Sequence, residues 1–172
     1  MAQVKTSFSI SGNKKIVGAI NRMLEAIEDE FIYGAEFDYE EDASSMEANV
    51  DNIDLEGVLG WTALFQTALK NNGRKRFSFV IEGIADNDYG EFTAFYIKCT
   101  QSSISKKEHD YEIEMDSDED FTDRQEKIWD AEDEAKEALV GIEEESISEI
   151  EYDSEEYDIA VEAAEEYFEE LE

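Results

Sequence analysis

The distribution of charge along the chain is the sequence feature that most constrains its fold. Residues 1–110 carry 19 acidic and 11 basic side chains, whereas residues 111–172 carry 28 acidic and only three basic side chains. The 36 residues after Lys136 contain no lysine or arginine, and the formal net charge of the chain is −33. Because self-repulsion on this scale opposes compaction, a folded acidic region needs apolar side chains that anchor it.

The composition supplies apolar side chains for such an anchor. Hydrophobic residues make up 41% and aromatic residues 12% of the chain, which favours a packed core over disorder. Cys99 is the only cysteine, so an intramolecular disulfide and a thiolate zinc site are excluded. The N-terminal sequence MAQVKTSFSI has no apolar signal segment, and no long apolar run predicts a membrane span. We therefore expect a cytoplasmic protein.

Residues 1–116 predict an α+β domain with a small mixed or antiparallel sheet and two helices. One helix is predicted from Ile16 to Ile27, with a cap at Ser11 or Asn13, and the other from Leu55 to Leu69, with a cap at Asp51 or Asp54. Alternating apolar residues predict strands at 4–10, 31–39, 46–50, 77–84, 89–99 and 111–115. The order β-α-β-β-α-β followed by extra strands is that of a ferredoxin-like fold.

Residues 117–172 predict a strongly acidic, mainly helical region that is packed on the first domain or appended to it. Helices with apolar positions on one side are predicted over residues 121–140 and 155–171, and the stretch between them leaves strand, helix and loop open. A disordered acidic tail would have no use for large side chains such as Trp129 and Phe168. We therefore predict a folded acidic surface.

No constellation in the sequence predicts catalysis or a cofactor. His109 is the only histidine, and its neighbours favour an ordinary surface or edge residue. Cys99 has no second histidine to activate it, which favours a buried thiol. Glycine-rich phosphate loops do not occur, and the many carboxylate pairs single out no acid and base. We predict that the protein is not an enzyme and binds no cofactor.

The run MDSDEDF places Asp116, Asp118 and Asp120 at the alternating spacing of a calcium-binding loop. A loop of the EF-hand type that begins at Asp116 needs glycine at its sixth position and glutamate at its twelfth. The chain has Phe121 and Lys127 at those positions. Weak divalent-cation binding stays open, and no dedicated metal site is predicted.

The arrangement of the acids indicates a binding surface. Like-charged pairs at i and i+4 in a helix, such as Glu162 with Glu166 and Glu165 with Glu169, cost roughly 0.2–0.5 kcal/mol each. Glu170 lies at a predicted helix C-terminus, where the helix dipole favours cations. A surface selected for solubility alone would intersperse lysines, and salt adaptation would spread the acids over the whole chain.

The spacing of the acids predicts which kind of partner they fit. Residues 142–172 hold 15 acids in 31 residues. If this segment is helical throughout, it spans about 46 Å at ~1.5 Å per residue, or one carboxylate per roughly 3 Å. One strand of B-DNA carries a phosphate every ~3.4 Å. Such a surface should fit a basic groove that grips nucleic acid.

Runs such as EEESISEIEYDSEEYD and EAAEEYFEELE resemble, in composition, the acidic nucleic-acid mimics of phages and mobile elements, which include anti-restriction and anti-CRISPR proteins. The resemblance covers residues 111–172 and includes no family motif. It implies a non-catalytic inhibitor whose carboxylates block the basic channel of a nuclease complex, such as a CRISPR effector or restriction enzyme. It also implies the cytoplasm of the host cell. The net charge of −33 repels nucleic acid and anionic membranes, so we expect direct binding of neither.

We predict that the partner-binding carboxylates belong to the second region. They are Asp116, Asp118, Glu119, Asp120, Glu143, Glu144, Glu145, Glu149, Glu151, Asp153, Glu155, Glu156 and Asp158. The aromatic side chains interleaved with the acids either anchor the partner or face the protein's own core; they are Tyr152, Tyr157, Tyr167 and Phe168.

Two other functions remain open. An acidic chaperone or adaptor would shield a basic protein without displacing DNA from a nuclease. A phage structural or assembly protein would join its subunits through the basic cluster Arg74, Lys75 and Arg76 and the acidic region of a neighbouring copy, so a homo-oligomer also remains open.

Overall fold

The computed structural model of the chain describes residues 4–31, 34–87, 90–114 and 120–171. The elements in chain order are β1 (Lys5–Gly12), α1 (Lys14–Phe31), β2 (Ala35–Asp38), β3 (Ser45–Asp51), α2 (Leu55–Asn71), β4 (Ser78–Asp86), β5 (Glu91–Thr100), β6 (Ile104–Glu112), α3 (Phe121–Val140), β7 (Glu145–Ile147) and α4 (Ser154–Leu171). The strands form one antiparallel sheet in the order β2-β3-β1-β4-β5-β6-β7. The predicted α+β class is therefore confirmed.

Alternation along the strands gives the sheet two unlike faces. In β1, Phe8 and Ile10 are buried on one face, whereas Ser7 and Ser9 lie on the other. The face of Phe8 and Ile10 joins one large hydrophobic cluster with α1, α2 and α4. This cluster is the main core of the molecule.

The first two helices begin at side-chain caps. The side-chain oxygen of Asn13 accepts a hydrogen bond from the backbone N–H of Lys15 at 2.9 Å, and Asp54 accepts one from Gly57 at 2.9 Å. Asn13 and Asp54 are therefore the capping residues among the alternatives that the sequence offered. After α2 the chain turns at Gly73, whose φ of +80° is a conformation that favours glycine.

α4 packs on the main core across α1 and α2. Ala160, Ala164 and Phe168 are buried in the large cluster. The helices α1 and α4 approach closely at Gly18. A Cβ atom at that position would overlap the hydroxyl of Tyr167, so only glycine fits there without a shift of that side chain. Small side chains at the contact thus let the acidic helix lie directly on α1.

α3 lies on the other face of the sheet. Ala135 and Leu139 are buried against Ala94 of β5, and the partly buried Ile84 and Tyr96 complete this smaller cluster. The main contacts of α3 fall on β5 and β6, with Ile84 of β4 at their margin, and no described helix makes extensive contact with the half of this face formed by β1, β2 and β3. None of the helices in the described ranges is long and apolar enough to cross a bilayer.

Two predicted strand boundaries are wrong. The strand predicted over residues 31–39 is shortened to β2, since Phe31 follows Ile27 at helical spacing and ends α1. The strand predicted over residues 111–115 lies earlier in the chain, because β6 pairs along its length with β5. Parts of these predictions, Tyr33 and Met115, lie outside the described residues.

Candidate carboxylate surface

Two of the predicted carboxylates begin the helices of the acidic region. Asp120 accepts a hydrogen bond from the backbone N–H of Asp123 at 2.9 Å and caps α3. Asp153 accepts hydrogen bonds from the N–H groups of Glu155 and Glu156 at 2.9 and 3.1 Å, at the start of α4. Both side chains therefore have a local structural role, which satisfies N–H groups that a helix leaves unpaired.

The assumption of one continuous helix over residues 142–172 is wrong. β7 interrupts it and pairs with β6, with Ile147 opposite the buried Ile104. Glu149 then has a φ of +60°, which is incompatible with a right-handed helix. The physical reason is that Ile147 packs against the main core as part of a strand, and the sequence pattern did not reveal that partner.

α4 presents its carboxylates on the side opposite its buried residues. It has 18 residues and eight acids, so at ~1.5 Å per residue it is about 27 Å long and carries one carboxylate per roughly 3.4 Å. Five exposed acids at alternating spacings of three and four residues form a continuous line, which we call the α4 stripe: Glu155, Asp158, Glu162, Glu165 and Glu169. α4 alone therefore carries nearly the density of carboxylates that a continuous helix over residues 142–172 would have.

Three members of the α4 stripe were absent from the predicted partner-binding set. They are Glu162, Glu165 and Glu169, and the structure exposes all three. The signal was present in the sequence, because these acids recur at helical spacing opposite the apolar positions of α4. The prediction instead followed runs of consecutive acids, and such runs do not indicate which side of a helix faces solvent.

The last turn of α4 is attached to α1 by an ion pair. Arg22 Nη2 lies 2.8 Å from Glu170 Oε2, and the guanidinium carbon lies 5.9 Å from the ring centroid of Tyr167. The hydrogen bond from Arg22, together with its charge, lowers the pKa of Glu170. On the other side of α4, Arg74 lies 3.8 Å from the ring centroid of Phe168. In the part of the chain that the structure describes, no ion pair involves the α4 stripe itself.

A second group of predicted carboxylates converges on a cavity of about 390 Å³ between α2 and the segment before α4. The lining carboxylates are Glu151, Asp153 and Glu156 from the predicted set and Asp51 and Glu56 from earlier in the chain. The rings of Trp61 and Tyr152 also line it. Burial and the charge of Asp153 raise the pKa of Glu156, while a hydrogen bond from Trp61 acts against that shift. Neither composition nor periodicity indicates that Asp51 and Glu56 join this group.

The remaining predicted carboxylates with described placement do not join either group. Glu143, Glu145 and Glu149 are exposed around β7. Glu144 accepts a long hydrogen bond from the hydroxyl of Ser105 at 3.4 Å. Three further predicted residues lie outside the described ranges: Asp116, Asp118 and Glu119. The structure thus distributes the described members of the predicted set over four places: the start of α3, the α4 stripe, the cavity and the surroundings of β7.

The interleaved aromatic residues divide between core and surface. Phe168 is buried, and Tyr167 packs edge-on against it with ring centroids 5.4 Å apart. Tyr152 is 38% exposed and lies 5.4 Å from the ring of Tyr157, whose hydroxyl accepts a hydrogen bond from the side chain of Asn71. Tyr152 is therefore the most accessible member of this group for a partner.

The residues considered for catalysis lie on opposite faces of the sheet. Cys99 faces the main core, where burial raises its pKa to about 12, so the predicted buried thiol is confirmed. His109 lies in β6 on the face of α3, with its ring 6.5 Å from that of Tyr111. Among the residues with described placement, no group of three or more His, Cys, Asp or Glu side chains is arranged to hold a metal ion.

Comparison of the chain with models of protein families, with curated proteins and with solved structures finds no match.

Proposed function

We propose that the protein is a non-catalytic inhibitor that mimics DNA or RNA and occupies the basic nucleic-acid-binding channel of a nuclease complex, such as a CRISPR effector or a restriction enzyme. The observation that carries the proposal is the α4 stripe, which belongs to a helix with eight acids, no base and a buried opposite face. A channel that binds one phosphate per ~3.4 Å of strand meets a similar density of negative charge on this helix.

The attachment of α4 supports this function because a rigid array binds better than a flexible tail. A disordered acidic segment loses conformational entropy when it is ordered on a partner. Ala160, Ala164 and Phe168 fix α4 on the main core before any partner arrives, and the pair of Arg22 with Glu170 holds its last turn. The carboxylates are therefore spaced in advance of binding.

Electrostatics would dominate both the rate and the strength of binding. A net charge of −33 attracts a basic channel over a distance and increases the rate of encounter. Binding would also release counterions from both surfaces, as DNA binding does. Affinity should consequently fall steeply as the salt concentration rises.

The scaffold and the cellular compartment of such an inhibitor can also be proposed. For the elements from β1 to β4 we propose a ferredoxin-like framework, which the spatial order β2-β3-β1-β4 supports. A nuclease target would place the protein in the cytoplasm of the host cell. Its partners would then be basic proteins, without direct contact to nucleic acid or membrane.

The test compares two variants that lose the same charge. One neutralises the α4 stripe with the substitutions Glu155→Gln, Asp158→Asn, Glu162→Gln, Glu165→Gln and Glu169→Gln. The other neutralises five exposed acids of α3 with Asp123→Asn, Glu126→Gln, Asp130→Asn, Glu134→Gln and Glu137→Gln. Cleavage of plasmid DNA by a panel of purified restriction enzymes and CRISPR effector complexes is measured with increasing inhibitor.

The parent protein should inhibit at least one member of the panel at near-stoichiometric concentration. The stripe variant should lose at least about tenfold in potency, because it loses contacts that replace phosphates, whereas the α3 variant should stay within about twofold. Circular dichroism checks that both variants are folded. Equal inhibition by the stripe variant and the parent would contradict the assignment to α4.

Failure of the parent protein to inhibit any member of the panel would contradict the inhibitor function itself. Capture of a basic protein without displacement of its DNA would then favour the acidic chaperone or adaptor. The assembly alternative needs the cluster at residues 74–76, where Arg74 already contacts Phe168 of the same chain and Lys75 and Arg76 are exposed. Reversal of these charges should leave inhibition by a mimic largely intact.

A further inference from the structure

The sheet face that carries α3 has an open half, formed by β2, β3, β1 and the adjoining side of β4. α3 covers the other half through Ala135 and Leu139. Three strand spacings of ~4.8 Å separate β4 from β2, so the open half is about 14 Å wide. A helix with its side chains is roughly 10–12 Å across. The open face therefore has room for one more helix beside α3.

Carboxylates cross this open face in one row. Ser9 of β1 pairs with Glu47 of β3 on one side and with Glu82 of β4 on the other, and Glu47 pairs with Asp38 of β2. Residues paired across neighbouring antiparallel strands lie on the same face, so the three acids point the same way. Asp38 and Glu47 are directly opposite each other, and like charges in that position destabilise a sheet. No ion pair within the described ranges compensates these three acids.

The side of α3 next to the open face exposes apolar residues. A groove of about 390 Å³ separates the helix from the strands, with Glu132, Lys136 and Leu139 on its helical side. Trp129 and Val140 lie seven residues before and four residues after Lys136, so they share its side of the helix. They are 56% and 80% exposed. We call Trp129, Lys136 and Val140 the α3 wall, which is about 16 Å long.

We propose that the open face and the α3 wall together bind one amphipathic helix of a partner protein, with basic residues towards the sheet and apolar residues towards α3. Charge complementarity selects a basic partner, because Asp38, Glu47 and Glu82 face the site and Lys136 is the only base among the described residues that line the groove. The wall supplies the apolar contacts that a helix makes through residues at i, i+4 and i+7.

A helix in this position would complete the second layer of the sheet. It would lie beside α3 and cover Trp129 and Val140, which are exposed in the protein alone. The site is separate from the α4 stripe, since α4 packs on the opposite face of the sheet. The inference therefore goes beyond the proposed function and does not depend on it.

The test uses the full chain and a synthetic 18-residue amphipathic helix of leucine and lysine. A scrambled peptide of the same composition serves as a control of equal charge. Binding is followed by the fluorescence of the exposed Trp129, since Trp61 is only 5% exposed, and by backbone NMR shifts. The amphipathic peptide should shift Ser7, Ser9 and Asn49 and should bind at least about tenfold more tightly than the scrambled peptide.

Two variants with three substitutions each distinguish the contribution of the acids on the open face from the effect of the protein's net charge. One variant carries Asp38→Asn, Glu47→Gln and Glu82→Gln. It should bind the amphipathic peptide about tenfold or more weakly, because these acids would face the basic residues of the peptide. The other variant carries Asp130→Asn, Glu134→Gln and Glu137→Gln, which remove equal charge from the outer side of α3. Its affinity for the peptide should fall by less than about twofold. Equal weakening in the two variants, equal binding of the scrambled peptide, or shifts confined to α4 would each overturn the inference.

Discussion

α3 and α4 are acid-rich helices of similar length, but the fold attaches them differently. α3 has 20 residues with seven acids and three bases, and it buries only Ala135 and Leu139 in a small cluster. α4 has 18 residues with eight acids and no base, and it buries four residues, including Phe168, in the main core. Acid content alone therefore does not decide where charge is held rigidly. The apolar side of each helix decides it.

The two helices also differ in how their charge is compensated. All three bases of residues 111–172 belong to α3 itself. One of them, Lys127, donates a hydrogen bond to the backbone oxygen of Glu114 at 2.8 Å. Around α4 the cations come from elsewhere: Arg22 contacts its last turn, and Arg74 contacts the ring of Phe168. The helix with the larger apolar anchor is thus the one whose exposed side carries uncompensated charge. A protein that mimics a polyanion needs uncompensated negative charge on such an exposed side.

The largest expected effect tests the difference in anchoring. Phe168→Ala should lower the free energy of unfolding by about 3–5 kcal/mol, since it removes a buried ring from the main core. Leu139→Ala in α3 should cost about 2–3 kcal/mol, at the lower end of the range, because its small cluster can relax around the vacated space. Urea unfolding of both variants measures the difference. An equal or greater loss for Leu139→Ala would show that α3 is anchored at least as strongly as α4.

A smaller effect is expected at the closest approach of α4 to α1. Gly18→Ala should destabilise the protein by about 1–3 kcal/mol, because the new Cβ would overlap the Tyr167 hydroxyl and lie 3.0 Å from that of Tyr39. The further change Tyr167→Phe should restore part of the loss, since it removes the overlapping oxygen.

Gly141, at the end of α3, is the matched control for Gly18. Its φ is −85°, and a Cβ there would meet only the backbone oxygen of Ala138, at 3.8 Å. Gly141→Ala should therefore be neutral or stabilise the fold by up to about 1 kcal/mol, through reduced freedom of the unfolded chain. Thermal and urea unfolding of the two variants should shift in different directions. A loss at Gly141 as large as that at Gly18 would show that both helices are packed equally tightly.

Periodicity predicted most elements of the fold because it depends on neighbours along the chain. Alternation in β1 identified Phe8 and Ile10 as core residues, and helical spacing gave the buried side of α1. The sequence left strand, helix and loop open at β7, because three residues are too few for a period to decide between them. The length of β6 also could not be read from its sequence, since its first half, around Lys106, is held by pairing with β5 and not by its own alternation.

The candidate surfaces were predictable only in part. Composition located the acidic region, and helical spacing contained the α4 stripe. The convergence of Glu56 with Glu151 and Glu156, and the row from Asp38 to Glu82, depend on which elements become neighbours in space. Alternation states which face of a strand a residue occupies, but not which strand lies beside it. Such long-range pairings carry no local signal in a single sequence.

The smallest expected effect distinguishes two carboxylates within α4 by their response to pH. Burial raises the pKa of Glu156 above its ordinary value of 4.5, so the folded state binds this proton more tightly than the unfolded chain does. Its stabilising contribution is present at low pH and is lost as the pH rises through the folded-state pKa. The hydrogen bond from Arg22 lowers the pKa of Glu170, so its contribution is present above the ordinary value and is lost as the pH falls through the lowered one.

Glu156→Gln should therefore raise the urea midpoint at pH 7 and leave it nearly unchanged at pH 3, because glutamine keeps an oxygen for the Trp61 hydrogen bond without the cost of a partly buried charge. Glu170→Gln should lower the midpoint at pH 7 and not at pH 3, since it removes the partner of Arg22. Both shifts should be smaller than that of Gly18→Ala. Glu162→Gln, on the exposed stripe, controls for the loss of one negative charge from the helix. If all three variants raise the urea midpoint equally at pH 7, repulsion among the carboxylates governs the stability of α4. The specific contacts on the inner side of α4 would then not distinguish this helix from α3.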